Sequence, residues 1–394
     1  MPQRAIEATL RGNLDDEQAW AVLGDLLSAQ GDRRGELIAL EQRILSAERV
    51  FERQVLRHQA DDLFAAHYKT WLGALADSGD IAVSWRRGYI TVAKIRQRLN
   101  PTLAILLELP ASALLHTLEA PRAPGVQGLA AQLADWGRLE TLRLPDPGFE
   151  RVEPLARLET LEELALTQAS ITDLDSLRAL PALSQLDLHG LRTSLQGLGE
   201  GFEALRRLNL SFHGHPDADG ADTLQPLARL EQLEALDLGH AGWVDLSPLG
   251  ALRRLEELVL ASTDAFDLRP LGALAALREL DLRGSTSVAD IEPLAGLSEL
   301  EILRLNYTRV TDLRPLRVLP KLRVLDISGT AIHSVDDLMA LPALERVVIH
   351  GSEIRDVEAL ISRGVRVDGR PPARVPSWRD IADEHLRDTD FDDR

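Results

Sequence analysis

One short motif, L-x-x-L-x-L, dominates this sequence and returns in phase ten times between Leu142 and Ile349. The interval between successive central leucines is 22 residues in seven cases, and 28 and 23 residues in the other two. The central positions are Leu142, Leu164, Leu186, Leu208, Leu236, Leu258, Leu280, Leu303, Leu325 and Val347. Each copy is too short to bury its leucines alone, so neighbouring copies must cover them. The sequence therefore predicts a stack of similar units.

The period and the motif together indicate the fold class. A spacing of about 20 to 29 residues with this core is that of a leucine-rich repeat, in which each repeat forms a strand and a short helical turn or helix. A chain of 394 residues exceeds the usual size of one compact core, but a solenoid grows by adding repeats. We predict an α/β solenoid of about ten regular repeats with helical turns on its convex side.

Helical patterns precede the array. Trp20, Leu23 and Leu27 fall on one helical face, and a second amphipathic run extends from Gly35 to Leu72. Such helices would cover the leucines at the open end of the array. The segments that we expect are a helical capping domain at 1–80, irregular entry repeats at 81–138, the leucine-rich repeat solenoid at 139–369, and a C-terminal cap with an acidic tail at 370–394.

The entry repeats deviate from the period. The segment from Tyr89 to Val92 is typical of a first edge strand, and Leu118, 24 residues before Leu142, marks an early imperfect repeat. Terminal repeats of solenoids are commonly atypical.

A second motif, D-L-x-P-L, follows most strands. Its copies begin at Asp245, Asp267, Asp290 and Asp312. An aspartate that accepts bonds from free N–H groups, followed by a proline that lacks one, describes the start of a helical turn. We therefore interpret these aspartates as capping residues and not as catalytic carboxylates.

The composition argues against several classes of function. A formal net charge of −18 opposes nucleic-acid binding, which depends on clustered Lys and Arg. The absence of cysteine excludes disulfides, thiolate zinc sites and the cysteine nucleophile of leucine-rich ubiquitin ligases. The first residues lack the apolar core of a signal peptide, and Glu108, Pro110 and His116 interrupt the most apolar stretch. We expect a cytoplasmic protein that is monomeric alone, with no membrane contact and no cofactor.

Residues beside the central leucines point away from the core because side chains alternate along a strand. We call the positions one before, one after and three after each central leucine the strand face, and expect it to line the concave side. The candidate partner-binding residues there are Glu163, Asp187, Arg207, Asn209, Asp237, Glu257, Glu279, Asp281, Arg283, Arg304, Asn306, Asp326 and Arg346, with Tyr307 just past its strand.

Aspartate directly follows four of the central leucines, although it is disfavoured in sheets. One interpretation is a face that charge makes soluble. The other is an acidic groove, interspersed with arginines, that binds a basic or mixed-charge segment of a protein partner. The sequence leaves both open.

The repeat of 28 residues carries an insertion, and its candidate binding residues are Phe212, His213 and His215. Residues that could converge on zinc or another transition metal are His189, His213, His215 and His240, with Asp237. The H-x-H pattern with scattered aspartates is not a specific ligand spacing, and a polar surface loop has the same composition. We therefore assign no metal site.

Two resemblances add to this interpretation. The first residues resemble the repeat-companion domain that precedes leucine-rich repeats in many bacterial proteins, although Leu26 stands where that domain usually has tryptophan. The matching segments are Asp25-Leu26-Leu27, Gln30-Gly31-Asp32, Arg34-Gly35-Glu36-Leu37-Ile38 and Trp85-Arg86-Arg87-Gly88-Tyr89-Ile90. The array is similar to the repeats of bacterial internalins and of leucine-rich regulators of protein phosphatase 1. Both groups bind proteins without catalysis, which implies a binding function.

The sequence thus predicts a non-enzymatic adaptor or regulator that binds a partner protein on the concave strand face. Phosphate-binding G-x-x-x-x-G-K-[ST], zinc-protease H-E-x-x-H and esterase G-x-S-x-G motifs are absent from it. Two alternatives stay open: an inhibitor or immunity protein that blocks an enzyme, and a metal-dependent protein that uses the insertion rich in His and Asp.

Overall fold

The computed structural model describes residues 2–97, 99–120, 133, 139–145, 150–191, 194–213, 223–352, 354 and 357–369. Contacts divide the chain into two compact units, Met1–Asp222 and Thr223–Arg394, here called the amino-terminal unit and the carboxy-terminal unit. The boundary falls at the end of the insertion, inside the array. The expected C-terminal cap and tail at 370–394 lie outside the described residues.

The amino-terminal unit begins with helices, as the apolar periodicity predicts. They are α1 (Pro2–Gly12), α2 (Glu17–Ala29), α3 (Arg33–Ser46) and α4 (Val50–Leu72). The Asp16 carboxylate accepts the Ala19 amide of α2 at 2.9 Å, which satisfies one of the free N–H groups at the helix start. The single run predicted from Gly35 to Leu72 is wrong, because Ala47 and Arg49 adopt extended backbone and separate α3 from α4.

A hairpin follows the helices. Strand β1 (Ile81–Arg86) pairs antiparallel with β2 (Tyr89–Ile95), so the predicted edge strand from Tyr89 to Val92 is instead the inner strand of the hairpin. Arg87 and Gly88 form the turn with φ of 51° and 78°, as two-residue hairpin turns require. The chain continues through helix α5 (Leu99–Glu108) to β3 (Thr117–Glu119), which confirms the imperfect repeat at Leu118.

Two buried arginines join the helices to this hairpin. The Arg34 guanidinium lies 4.6 Å from the centroid of the Tyr89 ring, and that of Arg87 lies 5.0 Å from Trp20. Gly88 leaves room for Arg34, since a Cβ at position 88 would lie 2.7 Å from the Arg34 Cγ. Trp20 and Tyr89 are fully buried, so this contact forms part of the core between α2, α3 and β2.

The repeats predicted from the sequence are present in both units, each with a three-residue strand. In the amino-terminal unit they form β4 (Thr141–Arg143), β5 (Glu163–Ala165), β6 (Gln185–Asp187) and β7 (Arg207–Asn209). In the carboxy-terminal unit they form β8 (Ala235–Asp237), β9 (Glu257–Val259), β10 (Glu279–Asp281), β11 (Ile302–Arg304), β12 (Val324–Asp326) and β13 (Arg346–Val348). A further strand, β14 (Arg366–Asp368), follows the ten predicted repeats. A helix, α6 (Glu358–Ser362), precedes β14.

Within each unit the strands are parallel and follow chain order after the hairpin. Their register places central leucines side by side, as in the row formed by Leu258, Leu280 and Leu303, which are fully buried. The predicted core therefore exists, and the residues that flank the leucines occupy the opposite face of the sheet.

The capping role assigned to the D-L-x-P-L motif is confirmed. The aspartate accepts the backbone N–H two residues later at 2.8 to 3.0 Å in the pairs Asp245 and Ser247, Asp267 and Arg269, Asp290 and Glu292, and Asp312 and Arg314. Proline occupies one of the first two positions of the following 3-10 turn. Side-chain bonds from Arg269 and Arg314 lower the pKa of Asp267 and of Asp312 to about 2.

Candidate functional site

Charged side chains of the carboxy-terminal unit lie close together on the strand face. The register of β10, β11 and β12 places Arg304 between Asp281 and Asp326. Since neighbouring strands are about 4.8 Å apart, these three side chains form one row of alternating charge. Glu257 and Arg346 are exposed, whereas Asp237, Glu279, Asn306 and Asp326 are half-buried.

The aspartates of this face have a structural role that neither sequence interpretation includes. Each accepts the backbone N–H two residues later, at the point where its short strand ends. The Oδ1 atoms accept as follows: Asp187 from His189 at 2.9 Å, Asp237 from Gly239 at 2.9 Å, Asp281 from Arg283 at 3.0 Å and Asp326 from Ser328 at 2.9 Å. Asn209 Oδ1 accepts from Ser211 in the same way, at 2.9 Å. This local bond explains why aspartate is tolerated in these strands despite its low sheet propensity.

Asp281, one of the candidate partner-binding residues, is buried and not accessible to a partner. Its side chain is only 1% exposed, because Arg283 and Arg304 cover it. The Asp281 Oδ2 lies 2.5 Å from Arg283 Nη2 and 4.0 Å from Arg304 Nη1, and Arg304 also pairs with Glu279. The side chains of Arg283 and Arg304 remain 55% and 31% exposed. At this place the face therefore presents positive charge, with the carboxylate beneath it.

Another ion pair occupies the end of the array. Arg346 Nε donates to Asp368 Oδ2 at 2.5 Å, and Arg366 donates to the other oxygen at 2.9 Å. Bonds from Arg366 and from Arg346 hold the pKa of Asp368 below its ordinary value. Arg346 thus has a partner within the protein.

Tyr307 stands at a position of the repeat that requires left-handed backbone. Four residues after the central leucine, glycine has φ of 70° at Gly284, 62° at Gly329 and 68° at Gly351. Tyr307 adopts φ of 61° there, which costs about 1 to 2 kcal/mol for a residue with a Cβ. Its side chain is 62% exposed. Its ring packs against Gly329, where a Cβ would lie only 2.5 Å from Tyr307 Cδ1.

Phe212 shows the same combination in the amino-terminal unit, with φ of 56° and 51% exposure. Its ring centroid lies 4.9 Å from that of His189. His240 and Ser262 also adopt the left-handed conformation. The recurrence of glycine four residues after a central leucine is a sequence signal for this backbone requirement, and it lies outside the L-x-x-L-x-L motif.

A chain of polar contacts lies beside Phe212. His189 Nδ1 is 3.0 Å from the Ser211 hydroxyl, which donates to Asn209 Oδ1 at 2.7 Å. Because that hydroxyl proton is directed to Asn209 and Ser211 is buried, the serine is not arranged as a nucleophile. Elsewhere on this unit Arg143 Nε donates to Glu163 Oε1 at 2.7 Å, and Arg207 is exposed.

The assignment of His213 to an exposed binding loop is wrong. His213 is 4% exposed, and its Nδ1 lies 2.9 Å from the Leu191 carbonyl oxygen, so the side chain points into the repeat. His215 and the rest of the insertion lie outside the described residues. Within the described ranges, no group of three or more His, Asp or Glu side chains could hold a metal ion. No helix in those ranges is long and apolar enough to cross a bilayer.

Comparison with solved structures identifies the fold. An internalin, InlF, from Listeria monocytogenes is 21% identical with a TM-score of 0.54, covering 68% of this chain and 79% of its own. A leucine-rich repeat protein from Leptospira interrogans is 20% identical with a TM-score of 0.53, covering 65% of this chain and 72% of its own. The protein has the leucine-rich repeat fold.

The recognition of internalin-like repeats from the sequence is thereby confirmed at the level of the fold. No protein-family model matches the leucine-rich repeat chain, and no curated protein matches it. The likeness of its first residues to repeat-companion domains stays a prediction.

Proposed function

We propose that this leucine-rich repeat protein is a non-enzymatic adaptor or regulator that binds a partner protein through the strand face of its carboxy-terminal unit. The observation that carries the proposal is Tyr307. A strained, solvent-exposed aromatic residue replaces the glycine that the same position holds in neighbouring repeats. Residues held in a strained backbone conformation cluster at functional sites, and tyrosine and arginine are the side chains that most often anchor interfaces.

The surroundings of Tyr307 fit an interface. Arg283 and Arg304 are held by Asp281, so part of their conformational entropy is already lost before binding. Aromatic and arginine side chains among partly buried polar groups are the composition of a protein-protein interface. The exposed Glu257 and the half-buried Asp237 and Asp326 extend the charged area along the same face.

Affinity capture from the native cell tests this proposal. We expect the wild-type chain to retain a specific partner and the Tyr307→Gly variant to lose it, because glycine removes the ring without straining the backbone. Glu292→Lys changes charge on the exposed turn after β10 and serves as the control, since that turn is not part of the strand face. Equal capture by wild type and Tyr307→Gly, together with loss in Glu292→Lys, would place the interface elsewhere.

A further inference from the structure

The repeats of the carboxy-terminal unit differ in one bond, which the repeats of Leu258, Leu303 and Val347 lack because Val259, Arg304 and Val348 provide no carboxylate. In the other three a carboxylate directly after the central leucine accepts the amide two residues later, namely Asp237, Asp281 and Asp326. In the repeat of Leu303 the corresponding residue is Arg304, so the chain supplies no carboxylate to the amide of Asn306. Among the hydrogen bonds of the described residues, none has that amide as its donor.

The Arg304 side chain does not occupy the position that the aspartate carboxylate takes in the other three repeats. Its Nη1 contacts Glu279 and lies 4.0 Å from Asp281, and both of these residues belong to the preceding strand, β10. The guanidinium therefore leans toward β10. A carboxylate that entered above Asn306 would have the backbone N–H before it and the positive charges of Arg283 and Arg304 beside it.

Asn306 contributes a second unmatched group. Its Oδ1 is buried and has no hydrogen-bond partner within the described residues. A buried acceptor without a donor is costly, and a ligand that donates an N–H group would remove that cost. Tyr307 follows directly and offers an exposed ring. An acceptor group, donor groups and an apolar surface thus lie within two consecutive residues and the arginines next to them.

From this arrangement, which rests on the proposed function, we infer that the partner presents an aspartate or glutamate side chain on an extended peptide segment. The partner's carboxylate takes the place that Asp237, Asp281 and Asp326 fill in their own repeats. It accepts the Asn306 N–H and pairs with Arg304 and Arg283, while a backbone N–H of the segment reaches Asn306 Oδ1. An apolar neighbour in the segment packs on Tyr307.

An acidic residue in the partner is the opposite of what the net charge of this protein suggests. A formal charge of −18 favours a basic partner, but the carboxylates nearest this place are covered or bonded within the protein. Apart from the neutral acceptor Asn306 Oδ1, the groups left to a ligand here are donors and cations. Charge complementarity at the contact, not the charge of the whole chain, selects the residue that binds.

A display library of random linear peptides, selected on the immobilised full chain, provides the test. We expect the wild-type protein to enrich peptides that carry Asp or Glu next to an apolar residue. Arg304→Asp supplies the missing carboxylate from within and should weaken binding of a selected peptide about tenfold or more, since hydrogen bonds to charged groups are lost. Arg304→Gln, which only removes the charge, should weaken it less.

Val348→Asp is the matched control, because it adds the same carboxylate at the equivalent position of β13, two strands away. It should bind the selected peptide as wild type does. Thermal unfolding of each variant verifies that it is folded, and Arg304→Gln replaces Arg304→Asp in the comparison should the latter not fold.

Enrichment of basic peptides that depends on Tyr307 would overturn the acidic ligand and leave the proposed function standing. Enrichment of acidic peptides that Arg304→Asp and Arg304→Gln bind unchanged would overturn the inferred place of contact. Absence of any enrichment over an unrelated protein would contradict both the inference and the proposed function.

Discussion

The helices with their hairpin and the repeats of the carboxy-terminal unit are stabilised in different ways. The first region depends on contacts that occur once, such as Arg34 over Tyr89 and Arg87 over Trp20. The second repeats the same leucine contact from strand to strand and the same aspartate bond on the alternate strands β8, β10 and β12. Repetition provides a reference pattern, so a residue such as Arg304 or Tyr307 can be recognised as a departure from it. No such reference exists for the helices.

The largest effect is expected where a contact occurs once. Arg34→Ala should lower the free energy of unfolding by about 3 to 5 kcal/mol, because it leaves the partly buried Asp32 without its ion pair and empties the space above Gly88. Arg33→Ala, at an exposed neighbouring position, should change it by less than about 0.5 kcal/mol. Urea unfolding of the full chain measures both. Equal effects would show that the helices do not depend on this contact.

In the repeats, Leu258→Ala should lower the free energy of unfolding by about 2 to 5 kcal/mol, since it leaves a cavity between neighbouring strands. Asp281→Ala should cost about 1 to 3 kcal/mol, because the buried carboxylate caps Arg283 N–H and neutralises two arginines. The same unfolding experiment measures the two variants. A cost for Asp281→Ala near zero would contradict the structural role of the strand aspartates.

Two glycines with similar backbone conformation allow the helical region and the repeats to be compared directly. Gly88 has φ of 78° and faces Arg34, whereas Gly351 has φ of 68° and nothing within 4 Å of an added Cβ. Gly351→Ala should cost about 1 to 2 kcal/mol for the backbone alone. Gly88→Ala should cost about 1 to 3 kcal/mol more, because the methyl group collides with the Arg34 side chain. Thermal unfolding measures the stability of both variants. Equal melting temperatures would contradict the predicted difference between Gly88 and Gly351.

The smallest effects are expected at the turn caps. The pKa of Asp267 is about 2, below its ordinary value of 3.8, because Arg269 hydrogen-bonds the carboxylate. A lowered pKa means that this carboxylate stabilises the fold above pH 3.8 and loses the effect as the pH falls through about 2. Asp267→Asn should therefore be less stable than wild type at neutral pH, with a difference that shrinks across this interval. The free energy of unfolding of both proteins, measured as a function of pH, tests this prediction. A difference that does not change with pH would contradict a role of the ionised Asp267 carboxylate.

The sequence predicted the periodic part of the fold well because leucine spacing and the D-L-x-P-L motif act within one repeat. Central leucines, turn caps and the strand at Leu118 lie where the pattern placed them. The break between α3 and α4 was missed because apolar residues continue through it. The contact of Arg34 with Tyr89 joins residues far apart in sequence, and no local pattern encodes such a pair.

For the candidate site, the sequence identified which residues lie on the strand face and not which of them are accessible. The burial of Asp281 depends on arginines of its own and the next repeat, and that of His213 on the Leu191 carbonyl. An alternating pattern predicts on which face of the sheet a side chain lies, but not how exposed that side chain is. The exposure of Tyr307 and Phe212 agrees with their position just past the strands, although their role in binding stays a prediction.

The central claim is that departures from the repeat on the strand face mark the binding surface, and Tyr307→Gly tests it most directly when stability and partner capture are measured on the same preparation. Glycine relieves the left-handed strain, so we predict a free energy of unfolding within about 1 kcal/mol of wild type or above it, together with loss of the partner. A variant destabilised by more than about 2 kcal/mol that still captures the partner would contradict the claim, because the ring would then serve packing and not binding.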